Sequence, residues 1–225
     1  MDKLHRTRLL FGDAAVEKMH SATVMVVGCG AVGSFAIEAL ARVGIGNLIL
    51  IDFDKIEESN INRQLFALES TCGLPKVDVA AARIHDINPD INVVALNMFF
   101  DKTTVLDMTP CFVIDAIDTL ESKVALYKWC IARNIRFISS MGAARKTDIS
   151  QIKIAKISKT TVCPLAAKIR KIVRTENLPD FDAVYSTELP NENVLPNRTF
   201  GSVVTVTGVF GLYAANYAIQ HIINQ

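Results

Sequence analysis

Residues 22–33, ATVMVVGCGAVG, decide the fold. The segment is a short apolar run that ends in glycines, which is typical of a strand buried on both faces of a parallel sheet. A helix is predicted from Ser34 to Val43, where apolar residues recur at helical spacing before Gly44. The next buried strand is predicted at residues 47–52, NLILID, so the sequence contains a complete βαβ unit.

Strands and helices continue to alternate up to residue 140. Helices are predicted at residues 75–87 and 120–133, and strands at residues 92–96, 111–115 and 136–140. This alternation predicts an α/β fold with a doubly wound, Rossmann-like and mostly parallel sheet, whose crossovers are right-handed.

The character of the sequence changes near residue 143. We expect residues 1–143 to form the Rossmann-like domain with an N-terminal arm, and residues 144–225 to form a small α+β extension packed on the same core. Residues 151–157 alternate like a half-exposed strand, and residues 164–173 form a basic amphipathic helix. A long loop is predicted at residues 177–199, where Pro179, Pro190 and Pro196 stand among Asn and acidic residues.

The positive charge of the chain is concentrated in one stretch. The 225 residues carry a net charge of +1, which argues against a uniformly basic nucleic-acid binder. Residues 145–174, however, contain 9 Lys or Arg and 1 acidic residue. Lys168, Lys171 and Arg174 recur every third residue on one predicted helix face, which favours contact with RNA phosphates over a solvated face of mixed charge.

The cysteines and the segments near the two ends of the sequence indicate the cellular compartment. The five cysteines are widely spaced and include no C-x-x-C pair, so we expect a reducing, cytoplasmic location and no zinc. The N-terminus lacks the anatomy of a signal peptide. Residues 202–220 contain no charge, and we predict a buried or dimer-facing helix there, with a membrane span as the less favoured alternative.

The glycine loop GCGAVG predicts a nucleotide site. Gly28, Gly30 and Gly33 fit G-x-G-x-x-G between a strand and a helix, so backbone N–H groups should face a phosphate. Asp52 lies 19 residues beyond Gly33, where a carboxylate can accept hydrogen bonds from ribose hydroxyls. These residues alone favour an NAD-dependent oxidoreductase over an ATP-binding enzyme.

The following segments favour ATP. Asn60, Arg63 and Lys76 follow the second strand, and two cations beside a glycine loop suit a triphosphate better than a dinucleotide. Asp118, where the fourth strand ends, is a candidate ligand for Mg²⁺. Asp115 is expected rather to cap the following helix.

The sequence resembles the ThiF/MoeB superfamily, the bacterial relatives of ubiquitin-activating enzymes, through GCGAVGS, IDFDKIEESNINRQ, LPKVDVAAARI and DAIDTLESK. The resemblance implies that residues 1–143 form an ATP-binding adenylation domain. It implies that Asp52 binds the ribose, that Asn60, Arg63 and Lys76 bind the phosphates, and that Asp118 binds magnesium. It also implies a homodimer in which an N-terminal arginine, Arg6 first and Arg8 second, reaches the partner's site. Catalytic roles therefore fall on Arg63, Lys76, Asp118 and Arg6.

Within the superfamily, the sequence is most similar to the branch of tRNA threonylcarbamoyladenosine dehydratases (TcdA, also called CsdL), through segments such as HRTRLLFGDAAVEKM and KISKTTVCPLAAKIRK. This branch implies tRNA as the substrate. An adenylyltransferase acting on a ubiquitin-like sulfur-carrier protein and an NAD-dependent oxidoreductase are the alternatives. A cysteine desulfurase with its sulfur acceptor as partner, and an alkali cation near the nucleotide, both stay open. We expect Cys163 to have no role as a thioester nucleophile.

Overall fold

Seven strands form one sheet in the computed structural model, which describes residues 2–195 and 199–225. The strands are β1 (Thr23–Val27), β2 (Asn47–Asp52), β3 (Asn92–Asn97), β4 (Phe112–Asp115), β5 (Arg136–Ser140), β6 (Ile152–Lys156) and β7 (Asp182–Ser186). Their order is β3-β2-β1-β4-β5-β7-β6, and every neighbouring pair is parallel except β7 and β6. The predicted fold class, a doubly wound and mostly parallel α/β sheet, is confirmed.

Helices cover both faces of the sheet. They are α1 (His5–Phe11), α2 (Asp13–Ser21), α3 (Gly33–Val43), α4 (Lys76–Ile87), α5 (Leu120–Ala132), α6 (Pro164–Thr175) and α7 (Val204–Ile223). Alternate residues of β1 enter different cores: Val24 and Val26 pack with α3, α4 and α7, whereas Met25 and Val27 pack with α5. A third cluster joins α5, α6 and β7. The nearly continuous apolar composition of β1 follows from burial on both faces.

The loop predicted at residues 177–199 is partly wrong. Its residues 182–186 form β7, which lies between β5 and β6 in the sheet. The apolar run Ala183-Val184-Tyr185 is short, and the flanking prolines and acidic residues concealed it. Residues 196–198 lie outside the described part of the chain. Because β7 pairs with β5, the C-terminal segment shares the sheet of the first 143 residues, and the division at residue 143 stays a prediction.

The uncharged segment near the C-terminus forms α7. A Cβ added to Gly211 would lie 2.3 Å from the Val32 carbonyl oxygen, so this glycine allows α7 to pack closely against the start of α3. One side of α7 is buried in the core, including Val206, Phe210 and Ala214. No helix within residues 2–195 and 199–225 is long and apolar enough to cross a membrane.

Candidate functional site

The three motif glycines differ in what a side chain at each position would contact. Gly28 has φ +94°, and a Cβ there would lie 2.6 Å from the Ala116 carbonyl oxygen. A Cβ on Gly33 would lie 1.7 Å from the Gly28 carbonyl oxygen. The nearest atom to a Cβ on Gly30, by contrast, is Nε2 of Gln64 at 3.6 Å, an ordinary contact. The fold itself therefore requires Gly28 and Gly33, whereas Gly30 leaves the loop open to a ligand.

The loop leads into a helix whose N-cap residue, Val32, has an apolar side chain. Helix α3 begins at Gly33, Val32 makes no capping hydrogen bond to its first backbone N–H groups, and the Ser34 amide donates to the Gly30 carbonyl at 2.9 Å. Such N–H groups, with the positive end of the helix dipole, form a binding site for anions. The geometry of the loop thus suits a phosphate group.

Asp52, the last residue of β2, is fixed against the glycine loop. Its Oδ2 accepts a hydrogen bond from the Cys29 amide at 2.6 Å, and its Oδ1 accepts one from the Asp54 amide at 2.8 Å. Burial raises the pKa of this carboxyl, and the two amide hydrogen bonds oppose that effect. The carboxylate therefore has both oxygens oriented at the edge where the parallel strands end.

Lys76 lies beside this carboxylate at the start of α4. Its Nζ pairs with Oδ2 of Asp54 at 2.7 Å, and its side chain is only 9% exposed. The positive charge of Lys76 also lowers the pKa of Asp52, against the larger effect of burial. Asp54 is a site residue that sequence reasoning missed, although its position two residues after Asp52 is visible in IDFD.

Asn60 and Arg63 belong to a turn that contacts the glycine loop. The Asn60 carbonyl accepts hydrogen bonds from the amides of Arg63 and Gln64, at 3.0 and 2.9 Å. Gln64 approaches Gly30, as described above, and the next amide, of Leu65, donates to Ser34 Oγ at 3.1 Å. The structure therefore brings these predicted phosphate ligands to the loop.

The Arg63 guanidinium is held by its own turn. Nη1 donates to the Ser59 carbonyl at 2.7 Å and to Asn62 Oδ1 at 2.9 Å. These two bonds use one nitrogen, and the side chain is only half-buried. The remaining guanidinium N–H groups are thus available for a bidentate contact with phosphate oxygens.

Asp118 lies in the loop after β4 and is exposed, and this loop contacts the glycine loop two residues before Asp118. The contact runs through Ala116, whose carbonyl faces Gly28 and whose amide donates to the Val27 carbonyl at 2.8 Å. The described residues, 2–195 and 199–225, contain no group of three or more His, Cys, Asp or Glu that could hold a metal ion.

Asp115 does not cap α5, so that expectation is wrong. The residue preceding α5 is Thr119, and Asp115 is fully buried, with Oδ2 2.8 Å from Lys123 Nζ. Ser139 Oγ donates to the same oxygen at 2.6 Å, and Tyr127 Oη lies 2.7 Å from Ser139 Oγ. Burial, with the negative charge of Asp115, raises the pKa of Tyr127 well above its ordinary value, so the phenol stays protonated.

Arg6 is not brought to the nucleotide site of its own chain. Leu4 packs against Gly44, where α3 ends. The glycine loop lies at the start of this helix, and its 11 residues span about 16 Å. Arg6 is exposed and makes no ion pair with any residue in the described ranges. Arg8 pairs instead with Asp13 at 2.8 Å and Asp2 at 3.4 Å.

The predicted basic face lies on the exposed side of α6. Lys168, Lys171 and Arg174 are exposed and form no ion pair within the described part of the chain. Other basic residues of the segment are occupied: Lys156 pairs with Asp182 at 2.8 Å, and Arg170 donates to Thr160.

The start of α6 lies at the edge of the sheet that carries the glycine loop. The residue before α6, Cys163, is buried, with Sγ 3.5 Å from the position of a Cβ on Gly142, two residues after β5. The basic face therefore runs from this edge toward the opposite edge. There, Lys171 and Arg174 line a groove of about 740 Å³ beside Ser158 and Asp180.

Comparisons with known proteins find matches that cover most of the chain. The ThiF family profile matches residues 4–225. The chain is 45% identical over 194 residues to the tRNA threonylcarbamoyladenosine dehydratase of Bacillus subtilis, covering 84% of this chain and 76% of that protein. It is similar to a crystal structure of the E. coli enzyme of that name, TcdA, in complex with ATP. That structure superposes with a TM-score of 0.92 and 35% identity, covering 99% of this chain and 94% of the other.

Proposed function

The chain belongs to the ThiF family, and from this premise we propose that it is an ATP-dependent tRNA threonylcarbamoyladenosine dehydratase. One observation carries the proposal: relatives with this activity in their names match the chain at 45% and 35% identity over 84% and 95% of its length. The site agrees with it, because three polar segments lie with the open glycine loop at one edge of the sheet. They are the end of β2 with Asp52, the turn that contains Asn60 and Arg63, and the start of α4 with Lys76. Since its proposed substrate is a tRNA, the enzyme would act in the cytoplasm.

The proposed reaction activates a carboxylate and then closes a ring. A carboxylate oxygen of the threonylcarbamoyl group on a tRNA adenosine attacks the α-phosphorus of ATP, and the bond to the β-phosphate breaks to release pyrophosphate. A urea nitrogen of the same group then attacks the activated carbonyl carbon. The bond to AMP breaks and the nitrogen loses its proton, so the net change is loss of water. The nucleophile and the acyl group belong to one molecule, and orientation supplies much of the acceleration.

The residues at the sheet edge fit ATP. The ribose would be bound by Asp52, whose two oxygens are already oriented by amides. The phosphates would lie over Gly30 and the start of α3. Arg63, Lys76 and Asn60 border that position, and the two cations would stabilise the charge that develops as pyrophosphate leaves. Lys76 would then exchange part of its contact with Asp54 for the phosphates.

Magnesium is assigned to Asp118. Mg²⁺ commonly uses one or two protein carboxylates together with phosphate oxygens and water, so a single exposed carboxylate beside the glycine loop suits it. When bound, the ion would neutralise charge on the phosphates and assist pyrophosphate departure. The role of this chain is to hold the Asp118 carboxylate at the loop.

A homodimer would complete the site with Arg6 of the partner subunit. Leu9 and Leu10 on α1 are each 74% exposed, and Leu212 and Tyr213 on α7 are 48% and 40% exposed. Helix α2 contacts both α1 and α7, so the two helices that carry these side chains have a common neighbour. Exposed apolar surface of this kind is typical of a protein interface. Since Arg6 lies at the far end of α3, it can serve only the site of another subunit.

The tRNA would contact the basic face of α6. Lys168, Lys171 and Arg174 are unpaired among the described residues, and they extend away from the edge at which the acceptor carboxylate must meet ATP. The backbone phosphates of RNA attract such a row of cations whatever the nucleotide sequence is.

Release of AMP and of pyrophosphate decides between the proposed function and its alternatives. The protein is incubated with ATP and, separately, with tRNA that carries threonylcarbamoyladenosine, with tRNA that lacks it, and with a ubiquitin-like sulfur-carrier protein. We expect stoichiometric AMP only with the modified tRNA, together with a product about 18 Da lighter (one water). Pyrophosphate release only with the carrier protein, whose C-terminus then keeps AMP as an acyl-adenylate, or failure to bind ATP with tight binding of NAD, would overturn the proposal.

A further inference from the structure

A buried lysine holds the backbone immediately before Asp118. Lys123 Nζ donates to the Ile117 carbonyl oxygen at 2.8 Å and to Asp115 Oδ2 at 2.8 Å. Its side chain and that of Asp115 are 0% exposed. The second carboxylate oxygen, Asp115 Oδ1, accepts the Ile117 amide at 3.1 Å. Both backbone polar groups of Ile117 are therefore bound by two buried charged side chains.

The same backbone contacts the glycine loop. Residue 116 connects them, since its amide donates to Val27 and its carbonyl packs on Gly28. Because Val27 holds residue 116, a shift of residues 117 and 118 would move Asp118 and leave the glycine loop in place. Asp118 itself forms no hydrogen bond or ion pair with any residue in the described ranges, so its position depends on this backbone.

Stability alone does not explain a buried ion pair. Removing two charges from water is costly, and replacement of such a pair by apolar residues of similar volume is often neutral or stabilising. Here every oxygen of Asp115 has a partner, and the Lys123 ammonium has two acceptors on the turn itself. The arrangement specifies one conformation of the turn rather than simply filling the core.

We infer that Lys123 is a positioning residue, which acts through the Ile117 carbonyl and the Asp115 carboxylate to hold Asp118 at the phosphate edge. The inference rests on the proposed function, because it assigns Lys123 to the same ATP site. Lys123 lies beneath the turn and would not touch ATP.

The test compares removal of the cation alone, which leaves the Asp115 carboxylate buried without its partner, with removal of both charges. The variants are Lys123→Met and the double variant Asp115→Asn/Lys123→Met, in which both charges are removed and the buried amide can still accept the Ile117 N–H. Ser122→Ala is the matched control. This neighbouring hydroxyl is 2% exposed on the same turn of α5, and its oxygen has no hydrogen-bond partner within the described part of the chain.

We expect the double variant to remain folded at assay temperature and to lose roughly 10- to 100-fold in kcat, the effect of a misplaced catalytic group. The Mg²⁺ concentration that gives half-maximal turnover should rise, while the affinity for AMP, measured without Mg²⁺, stays near that of the wild type. A merely structural role would lower the melting temperature and leave the Mg²⁺ dependence unchanged. Ser122→Ala should match the wild type in each assay.

Asp118→Ala separates failure of the inference from failure of the proposed function. Normal turnover of Asp118→Ala would discredit the proposed ATP site itself. If Asp118→Ala is inactive while the double variant keeps the wild-type kcat and Mg²⁺ dependence, the positioning role of Lys123 is wrong. Should Lys123→Met fail to fold, the double variant decides. If that protein also fails to fold, the pair is required for the core, and the positioning role is likewise rejected.

Discussion

The Cys29 amide donates a 2.6 Å hydrogen bond to the Asp52 carboxylate, which joins the glycine loop to the end of β2. This bond holds one side of the loop from within the protein. The Asp52 carboxylate is consequently fixed beside the start of α3, where a ribose bound to it would direct its phosphates over Gly30. Since the pKa of Asp52 is raised by burial, protonation of this one side chain connects pH to nucleotide affinity.

The first prediction concerns the pH dependence of ATP binding. As the pH is lowered, Asp52 takes up a proton at a higher pH than an ordinary aspartate would, because its pKa is raised. A protonated carboxyl accepts hydrogen bonds from ribose hydroxyls less well, so the affinity for ATP should fall on acidification. The Kd for ATP is measured by calorimetry across the acidic range for the wild type and for Asp52→Asn.

Comparison of the two proteins removes the titration of ATP itself, which affects both equally. We expect Asp52→Asn to bind ATP more weakly at neutral pH and to approach the wild type as the pH falls. A ratio of the two Kd values that is independent of pH would contradict the role of Asp52.

The second prediction separates two glycines of the same loop. Gly30→Ala should fold normally, because the added methyl group meets only Gln64 at 3.6 Å, but it should obstruct the phosphates and weaken ATP binding about tenfold or more. Gly28→Ala should instead destabilise the protein. Its φ of +94° is unfavourable for alanine by about 1–3 kcal/mol, and the methyl group would also meet the Ala116 carbonyl at 2.6 Å.

Urea denaturation and ATP titration of both variants provide the measurements. A normal ATP affinity in Gly30→Ala would show that no phosphate lies over this residue. A Gly28→Ala protein as stable as the wild type would contradict the packing of the loop on the turn after β4.

The sequence predicted those parts of the site that depend on local order along the chain. The glycine loop follows an apolar strand, and Asp52 ends the next one, so parallel pairing necessarily brings them to one edge. Strand β7 was missed because its apolar core is only three residues long and prolines flank it. A five-residue strand between two others needs no alternation when both of its faces are buried.

The Asp115–Lys123 pair could not be predicted from the spacing alone. Asp115 ends a strand and Lys123 lies in the first turns of α5, and their contact depends on how α5 packs back over β4. Ser139 joins them only because β5 is the neighbour of β4, with Ser139 paired to Asp115 in register. These contacts are consequences of tertiary packing. The separation of eight residues between Asp115 on its strand and Lys123 on its helix does not predict them.

The third prediction tests whether Arg6 serves another subunit. Arg6→Ala and Asp118→Ala should each be inactive alone. Mixed by unfolding and refolding together, they should regain about a quarter of wild-type turnover, since half of the dimers are mixed and each has one intact site. The measurement is AMP release from modified tRNA before and after subunit exchange.

Arg8→Ala is the control for this experiment, because Arg8 is occupied by Asp2 and Asp13. It should retain turnover on its own. Absence of recovery in the mixture of Arg6→Ala and Asp118→Ala, with exchange verified by mass spectrometry of the dimers, would show that Arg6 does not act across an interface.

The last prediction assigns tRNA binding to α6. Combined Lys168→Ala, Lys171→Ala and Arg174→Ala should weaken tRNA binding and reduce the slope of log K against log salt by about 2–3, roughly one for each phosphate that the variant no longer binds. The Kd for ATP should stay unchanged, because these side chains lie on α6 and not at the glycine loop. Lys18→Ala, a single exposed lysine on α2, is the control and should leave the slope unaltered. An unchanged slope in the triple variant would mean that the RNA binds another surface, since removal of any phosphate-binding cation must appear in the salt dependence.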